Sequence, residues 1–122
     1  QGARLKLVVN MIMGGMMSAF CEGLVLARES RLDTTELLDI LDAGALGNPM
    51  FRGKGPQMLA GNYAVAFPLK HMQKDLRLAL ELGHDLQIKL PTAGAANDAF
   101  ARALAAGDGD LDFSALLRTQ ND

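Results

Sequence analysis

The sequence predicts an all-α domain, a helical bundle built around one long N-terminal helix. Apolar residues recur at helical spacing in every periodic segment, and no segment shows the alternating pattern of a strand. An uncharged run from Leu7 to Cys21 is long enough to form the central helix. At 122 residues the chain fits a single domain, residues 1–122, which can bury a core without disulfide bonds.

The first helix is predicted over residues 3–30. Two of its faces differ in character: Leu5, Val9, Ile12, Met16, Phe20 and Leu24 lie on one, and Lys6, Asn10, Met13 and Met17 on another. Gly14 and Gly15 fall in the middle of the helix, where each costs about 1 kcal/mol relative to alanine. We therefore expect another helix or a ligand to approach closely there.

A membrane span is the alternative that this apolar helix raises. A span needs about 20 predominantly apolar residues, whereas this run lies between Lys6 and Glu22 and is interrupted by Asn10 and Ser18. The central helix of a soluble bundle explains the same composition. With no signal peptide visible and a single cysteine, we expect no membrane partner and a cytoplasmic location.

Shorter helices are predicted to follow. Their expected positions are residues 36–42, one or two turns after Pro49, and residues 57–60, 69–82, 91–105 and about 113–119. Glycine and proline set the boundaries: Gly44 ends the second helix, residues 53–56 form a break, and Gly83 closes the helix that follows Pro68. Core-facing residues are expected at Leu69, Met72, Leu76, Ala79 and Leu80, and close helix packing at Ala93, Ala95, Ala96, Ala99 and Ala103.

Composition argues against several classes of function. The net charge of −2 and the scattered basic residues provide no stripe that could neutralise a phosphate backbone, so no nucleic-acid partner is expected. His71, His84 and Cys21 do not have the spacing of metal ligands, so no metal is expected. The basic turn Arg52–Gly55 lacks the strand and the Lys-Ser/Thr of a phosphate-binding loop. It is interpreted as a solvated connection, with anion binding as the alternative.

Two polar pairs could carry chemistry. Lys6 and Asn10 are one helical turn apart, so their side chains project over the same face. Lys74 and Asp75 follow Phe67 by two turns, and Phe67 is typical of a residue that staples a helix start. Charged pairs of this kind are more often solvated than catalytic. The functional interpretation requires the second pair to face the first.

These residues resemble the C-terminal domain of the β-hydroxyacid dehydrogenases. The resemblance rests on the segments Gly2–Met11 and Phe67–Ala79 and covers essentially the whole chain. The amino-acid sequences of residues 10–14, 48–51, 53–56 and 109–115 are most similar to the glyoxylate/succinic semialdehyde reductase branch. The fold implied is that of the 6-phosphogluconate dehydrogenase C-terminal domain.

The resemblance implies a role for each of five residues. Lys6 would be the general acid, which protonates the carbonyl oxygen of an aldehyde, and Asn10 would hold the substrate or the lysine. Lys74 is expected near the cofactor. Asp75 would support the lysine or the substrate, and Phe67 would help to wall the substrate pocket.

The implied cofactor is NADPH or NADH, bound mainly by an N-terminal Rossmann domain. This chain carries neither the Gly-rich fingerprint nor the serine-containing substrate loop of that domain, so the chain alone is expected to be inactive. The expected function is the substrate-binding and oligomerisation domain of a reductase of glyoxylate or succinic semialdehyde. A non-catalytic helical dimerisation module is the alternative. A homo-oligomer is expected in either case, because the apolar surface exceeds what one small bundle buries.

Overall fold

The computed structural model describes residues 2–121, which form six helices. They are α1 (Gly2–Glu29), α2 (Thr34–Ala43), α3 (Pro49–Leu59), α4 (Leu69–Asp85), α5 (Pro91–Ala105) and a 3₁₀ helix (Phe113–Thr119). Among the described residues, β-type pairing is confined to one isolated bridge between Pro68 and Asp112. The prediction of an all-α bundle around one long first helix is confirmed.

Helix α1 is the element around which the bundle packs. It contacts α2, α4, α5 and the 3₁₀ helix, and its buried residues all lie between Gly14 and Ala27. The largest fully buried apolar side chains come from four different helices and form a single core. They are Met17, Leu69, Met72, Leu76, Phe100 and Leu116.

The apolar face predicted for α1 does not coincide with its buried face. Leu5, Val9 and Ile12 are 66%, 54% and 54% exposed, whereas Met17, on the face of Lys6 and Asn10, is fully buried. The physical reason is that a helix apolar nearly all round has no pattern that selects one side. Contacts with the neighbouring helices select it instead.

Gly14 is the position at which α4 comes closest to α1. A Cβ atom built there would lie 2.9 Å from Sδ of Met72 and 3.2 Å from Cδ1 of Leu76, whereas one at Gly15 would meet only Thr92, at 3.9 Å. The prediction of close helix approach is therefore confirmed at Gly14. Close approach of a neighbouring helix does not explain the glycine at position 15.

The predicted break at residues 53–56 is wrong, because α3 continues through them to Leu59. Proline normally clashes with the Cβ of the residue before it, and Gly55 has none. Gly55 also lies against α2, where an added Cβ would be 2.9 Å from Leu38. Gly55 thus allows Pro56 to be accommodated inside a helix and allows α2 to pack closely against α3. Local sequence rules, by contrast, indicate a turn at these residues.

Gly83 does not end α4 as predicted, since the helix runs to Asp85. The left-handed residue after the helix is Gln87, with φ of 58°, and the amide of Ile88 donates to the carbonyl of Gly83. This is the hydrogen-bond pattern that usually places glycine after a helix end. Gly83 instead permits close packing, because an added Cβ would lie 2.7 Å from Cδ1 of Leu90.

The alanine-rich face of α5 is buried at Ala93, Ala96, Ala99 and Ala103, as predicted, but Ala95 is exposed. The stripe of α4 is buried at four of its five predicted positions, and Leu80 is partly buried against the core. These two helices pack against each other and against α1. Their packing fixes the orientation of the first turns of α1 and α4, where the polar residues lie.

Helix α1 is long and apolar enough, by length and composition alone, to cross a membrane. Its most apolar stretch has a mean hydropathy of 1.5, and 33% of that stretch is buried inside the protein. The central helix of a soluble bundle has the same length and composition. In the structure α1 contacts α2, α4, α5 and the 3₁₀ helix.

Candidate active site

A cleft of about 640 Å³ lies between the first turns of α1 and the outer face of α4. All five residues singled out in the sequence line it: Lys6, Asn10, Phe67, Lys74 and Asp75. Two come from α1, two from α4, and Phe67 from the segment just before α4. The structure therefore brings together residues that are more than sixty positions apart, as the functional interpretation requires.

The close approach at Gly14 explains why these side chains meet. Lys6 and Asn10 precede Gly14 by two turns and one turn, so they lie on the side of α1 that faces α4. On α4, Asp75 follows Met72, which contacts the Gly14 position. The side-chain Nδ2 of Asn10 donates a hydrogen bond of 2.8 Å to Oδ2 of Asp75 across the two helices.

The charges at the cleft differ in how they are held. Asn10 and Asp75 are partly buried and bonded to each other, whereas Lys6 and Lys74 are exposed. Neither lysine forms a hydrogen bond or an ion pair with another side chain in residues 2–121. A possible pair of Asp75 with His71, one turn earlier on α4, does not form, because the carboxylate faces Asn10 instead. The cleft thus contains the ammonium groups of Lys6 and Lys74, which have no side-chain partner in residues 2–121, beside the oriented amide of Asn10.

Phe67 is fixed at the cleft by the segment that leads into the 3₁₀ helix. Its amide donates to Oδ1 of Asp112 at 3.0 Å, and its carbonyl accepts from the amide of Phe113 at 2.8 Å. The rings of Phe67 and Phe113 meet edge to face, with centroids 6.0 Å apart. Phe67 is therefore held by both backbone groups and by its ring, which goes beyond the predicted role of a helix staple.

The basic turn at residues 52–55 is not the solvated connection that was predicted. It lies within α3, and Nζ of Lys54 is 2.8 Å from Oδ2 of Asp112, with only 18% of the lysine side chain exposed. Arg52 pairs at the surface with Asp42. Because Asp112 neutralises Lys54, this lysine is committed to the protein's own carboxylate.

Comparison with protein families gives a match across nearly the whole chain. Residues 1–120 match the family described as the NAD-binding domain of NADP-dependent 3-hydroxyisobutyrate dehydrogenase. The chain belongs to this family. The resemblance to β-hydroxyacid dehydrogenases drawn from the sequence is thereby confirmed.

Individual relatives place this member of the 3-hydroxyisobutyrate dehydrogenase family more narrowly. It is 61% identical to glyoxylate/succinic semialdehyde reductase 1 of Arabidopsis thaliana over 95% of this chain and 40% of the relative. It is 47% identical to the chloroplastic glyoxylate/succinic semialdehyde reductase 2 of the same plant, over 95% of this chain and 32% of the relative. The chain thus spans two fifths or less of these relatives.

A solved structure supports the same family. The crystal structure of 3-hydroxyisobutyrate dehydrogenase from Salmonella typhimurium superposes with a TM-score of 0.90 at 26% sequence identity. The match covers 96% of this chain and 41% of that one. The helical arrangement around the cleft is therefore that of the 3-hydroxyisobutyrate dehydrogenase family.

Four further ionisable residues line the same cleft but were given no role in it from the sequence. Arg4 lies on α1, and His71, Glu81 and Asp85 lie along α4. The last two follow Lys74 and Asp75 at helical spacing, which is the signal that could have found them. Glu81 also pairs with Arg77 at 2.9 Å, so only part of its charge faces the cleft.

The described residues contain no group of three or more His, Cys, Asp or Glu side chains that could hold a metal ion. Cys21 is fully buried in the core, away from the cleft. Burial, and to a lesser degree the neighbouring Glu22, raises the pKa of its thiol to about 12. The thiol is therefore protonated at neutral pH and makes a weak contact of 3.8 Å with Sδ of Met17.

Proposed function

We propose that this chain forms the substrate-side half of the active site of an NAD(P)H-dependent reductase. The substrates would be small aldehydes and semialdehydes, with glyoxylate and succinic semialdehyde as the first to test, and the products hydroxy acids. The observation that carries the proposal is the meeting of Lys6, Asn10 and Asp75 in one cleft. The names of the two plant relatives support the choice of substrates.

Lys6 is the proposed general acid. Its ammonium stands at the cleft without a carboxylate partner in residues 2–121, so its charge and proton are available to a bound carbonyl oxygen. Negative charge develops on that oxygen during reduction, and a positioned ammonium both stabilises the charge and donates the proton from Nζ. In a lysine already paired with a carboxylate, such as Lys54, the partner offsets most of the charge.

Asn10 and Asp75 are proposed to act together on the substrate. The hydrogen bond from Nδ2 of Asn10 to Asp75 fixes the orientation of the amide. It leaves Oδ1 and the second amide hydrogen of Asn10 for the substrate or for the ammonium of Lys6. Asp75 then supports the lysine through Asn10, one of the two roles expected of it.

The cleft residues fit one part of a nicotinamide cofactor. Leu7, Leu78 and Leu82 give the cleft an apolar lining suited to a flat ring, and the exposed ammonium of Lys74 at its edge suits an anionic group. When bound, reduced NADPH or NADH supplies the hydride to the carbonyl carbon. We propose that a dinucleotide-binding domain holds the rest of the cofactor, since the glycines of this chain open no nucleotide-binding turn after a strand.

The test joins this chain to the dinucleotide-binding domain of the 61% identical relative and follows NAD(P)H oxidation with each aldehyde. Lys6→Ala should lower kcat by about 10²- to 10⁴-fold, the usual contribution of a general acid. Lys6→Arg keeps the charge, but its guanidinium does not release a proton. Lys6→Arg should therefore keep KM close to that of the unsubstituted protein without restoring kcat.

Lys89→Ala is the matched control, because Lys89 is exposed and lies outside the cleft. Its kcat should equal that of the unsubstituted protein. If Lys6→Ala keeps kcat close to that of Lys89→Ala, Lys6 is not the general acid. If the unsubstituted joined protein shows no turnover, a non-catalytic association module describes this chain better than half of an active site.

We also propose that the chain associates into a dimer or larger homo-oligomer through the first half of α1. Leu5, Val8, Val9 and Ile12 form one face at helical spacing and are 43–66% exposed. A contiguous apolar face of this kind is typical of an interface. Ile12→Lys should shift sedimentation toward monomer, whereas Leu46→Lys, at a 67% exposed leucine between α2 and α3, should not.

A further inference from the structure

We propose that Asp112, neutralised by Lys54, is a positioning residue for the substrate cleft. It does not line the cleft, but it holds the backbone that carries Phe67. The inference rests on the proposed function for its kinetic consequence. Its structural part, the anchoring of Phe67, can be tested independently.

Asp112 is 1% exposed, and five donors converge on its carboxylate. Oδ1 accepts the amides of Ala66 and Phe67, each at 3.0 Å. Oδ2 accepts the amide and hydroxyl of Ser114, at 3.1 and 2.6 Å, and the ammonium of Lys54 at 2.8 Å. Oδ1 therefore binds the segment that carries Phe67, and Oδ2 binds Ser114 and Lys54.

The segment held by Oδ1 has no regular secondary structure of its own. Residues 62–68 connect α3 to α4, and their position depends on contacts with residues 109–113. The amide of Asp112 donates to the carbonyl of Tyr63, and that of Leu69 donates to the carbonyl of Leu111. Phe67 lies between these two bonds, so a change at Asp112 moves a cleft wall before it moves a helix.

Lys54 connects this anchor to α3. Its ammonium is 5.5 Å from the centre of the Phe113 ring, on which the Phe67 ring also packs. Burial alone would raise the pKa of Asp112, but the hydrogen bonds from Lys54, Ser114, Phe67 and Ala66 outweigh it and lower the pKa below its usual value. The carboxylate is thus charged, and its acceptor geometry is maintained, at neutral pH.

A buried ion pair is weak support for stability, because desolvation offsets most of its attraction. Its advantage over a pair of apolar residues is directional: a carboxylate can accept two adjacent backbone amides, and an apolar side chain can accept none. Lys70 and Asp110 provide a contrast in the same region. Their pair, at 2.7 Å, is 50% and 88% exposed and holds no part of the Phe67 segment through its side chains.

The experiment uses the joined protein described above, with Asp112→Asn as the main variant and Asp110→Asn as its matched control. The introduced carboxamide would keep one acceptor oxygen, but its NH₂ group would face either Lys54 and the amide of Ser114 or the amides of Ala66 and Phe67, so donors would oppose donors in both orientations. Displacement of Phe67 should raise KM for the aldehyde about tenfold and change kcat much less, since misplacement at a binding wall is costly. Asp110→Asn should leave both constants unchanged.

The double variant Lys54→Met/Asp112→Asn provides a rescue test. Without the ammonium, the NH₂ group can donate to the hydroxyl oxygen of Ser114, and only the amide of Ser114 is left without its acceptor, while Oδ1 again accepts from Ala66 and Phe67. Its KM should therefore fall back toward that of the unsubstituted protein. A KM that Asp112→Asn does not raise would overturn the inference, and so would a double variant with no recovery while circular dichroism shows both proteins folded.

Amide hydrogen exchange separates this inference from the proposed function. In Asp112→Asn the amides of Ala66 and Phe67 should exchange faster, while those of core residues in α4 keep their protection. Unchanged exchange at both amides would overturn the anchoring itself. If exchange quickens but the unsubstituted protein reduces no aldehyde, the anchoring holds and the proposed function fails.

Discussion

The side-chain amide of Asn10 donates a hydrogen bond of 2.8 Å to the carboxylate of Asp75, and this bond joins α1 to α4 at the cleft. The two residues are 65 positions apart in the sequence. The bond lies beside two lysines, Lys6 and Lys74, that have no side-chain partner in residues 2–121. The pair therefore connects the packing of the bundle to the chemistry proposed for Lys6.

This bond should be measurable as a coupling energy. In a double-mutant cycle of Asn10→Ala and Asp75→Ala, we expect about 1 kcal/mol of coupling in the free energy of unfolding, since the acceptor is charged but partly exposed. A cycle of His71→Ala with Asp75→Ala serves as the control and should show almost none. Equal coupling in the two cycles, measured by urea unfolding, would mean that Asp75 also pairs with His71.

The two adjacent glycines of α1 should respond oppositely to alanine. At Gly15 the new methyl group meets only an ordinary contact at 3.9 Å, so Gly15→Ala should raise the free energy of unfolding by up to about 1 kcal/mol. At Gly14 it meets Met72 at 2.9 Å within a packed core. Overpacking costs about 1–3 kcal/mol and should exceed the gain in helix propensity. Stabilisation by both substitutions would refute the close helix contact.

Gln87 should be improved by glycine. Its φ of 58° lies in the left-handed region, where a residue with a Cβ is disfavoured by about 1 kcal/mol or more. Gln87→Gly should therefore raise the thermal midpoint. Gln87→Ala removes the same side chain but keeps the Cβ, so its midpoint should stay near that of the unsubstituted protein. Equal midpoints for the two variants would argue against left-handed geometry at this position.

Asp112 should make the free energy of unfolding depend on pH in the acidic range. Its folded-state pKa is lowered, so the unfolded state binds the proton more readily. The stabilisation is fully present above the ordinary pKa of an aspartate, about 3.9. It is lost as pH falls from there through the lower folded value.

Urea unfolding between neutral pH and this acidic range measures the effect. The difference in unfolding free energy between the unsubstituted protein and Asp112→Asn should narrow as the pH falls. Asp110→Asn should differ little from the unsubstituted protein at any pH, because its partner is exposed. A gap for Asp112→Asn that stays constant across this range would show that the carboxylate is not the group that titrates.

Local patterns gave the helical spans and most core positions, because helical periodicity and caps act over a few residues. Asp33 and Asn48 are such caps: they begin α2 and α3, and their side chains accept backbone amides. The same local rules failed at residues 53–56 and at Gly83. Glycine there permits close packing against Leu38 and Leu90, and such distant partners leave no local signal.

The candidate site divides in the same way. The sequence by itself determined the all-α fold, the family, and the five residues of interest, through helical spacing and resemblance to the dehydrogenases. Only the tertiary structure decided which face of α1 meets α4, that Asn10 bonds Asp75 rather than leaving it to His71, and that Lys54 reaches Asp112. The physical reason is that α1 is apolar on nearly every side, so the choice among its faces comes from contacts between residues far apart in the chain.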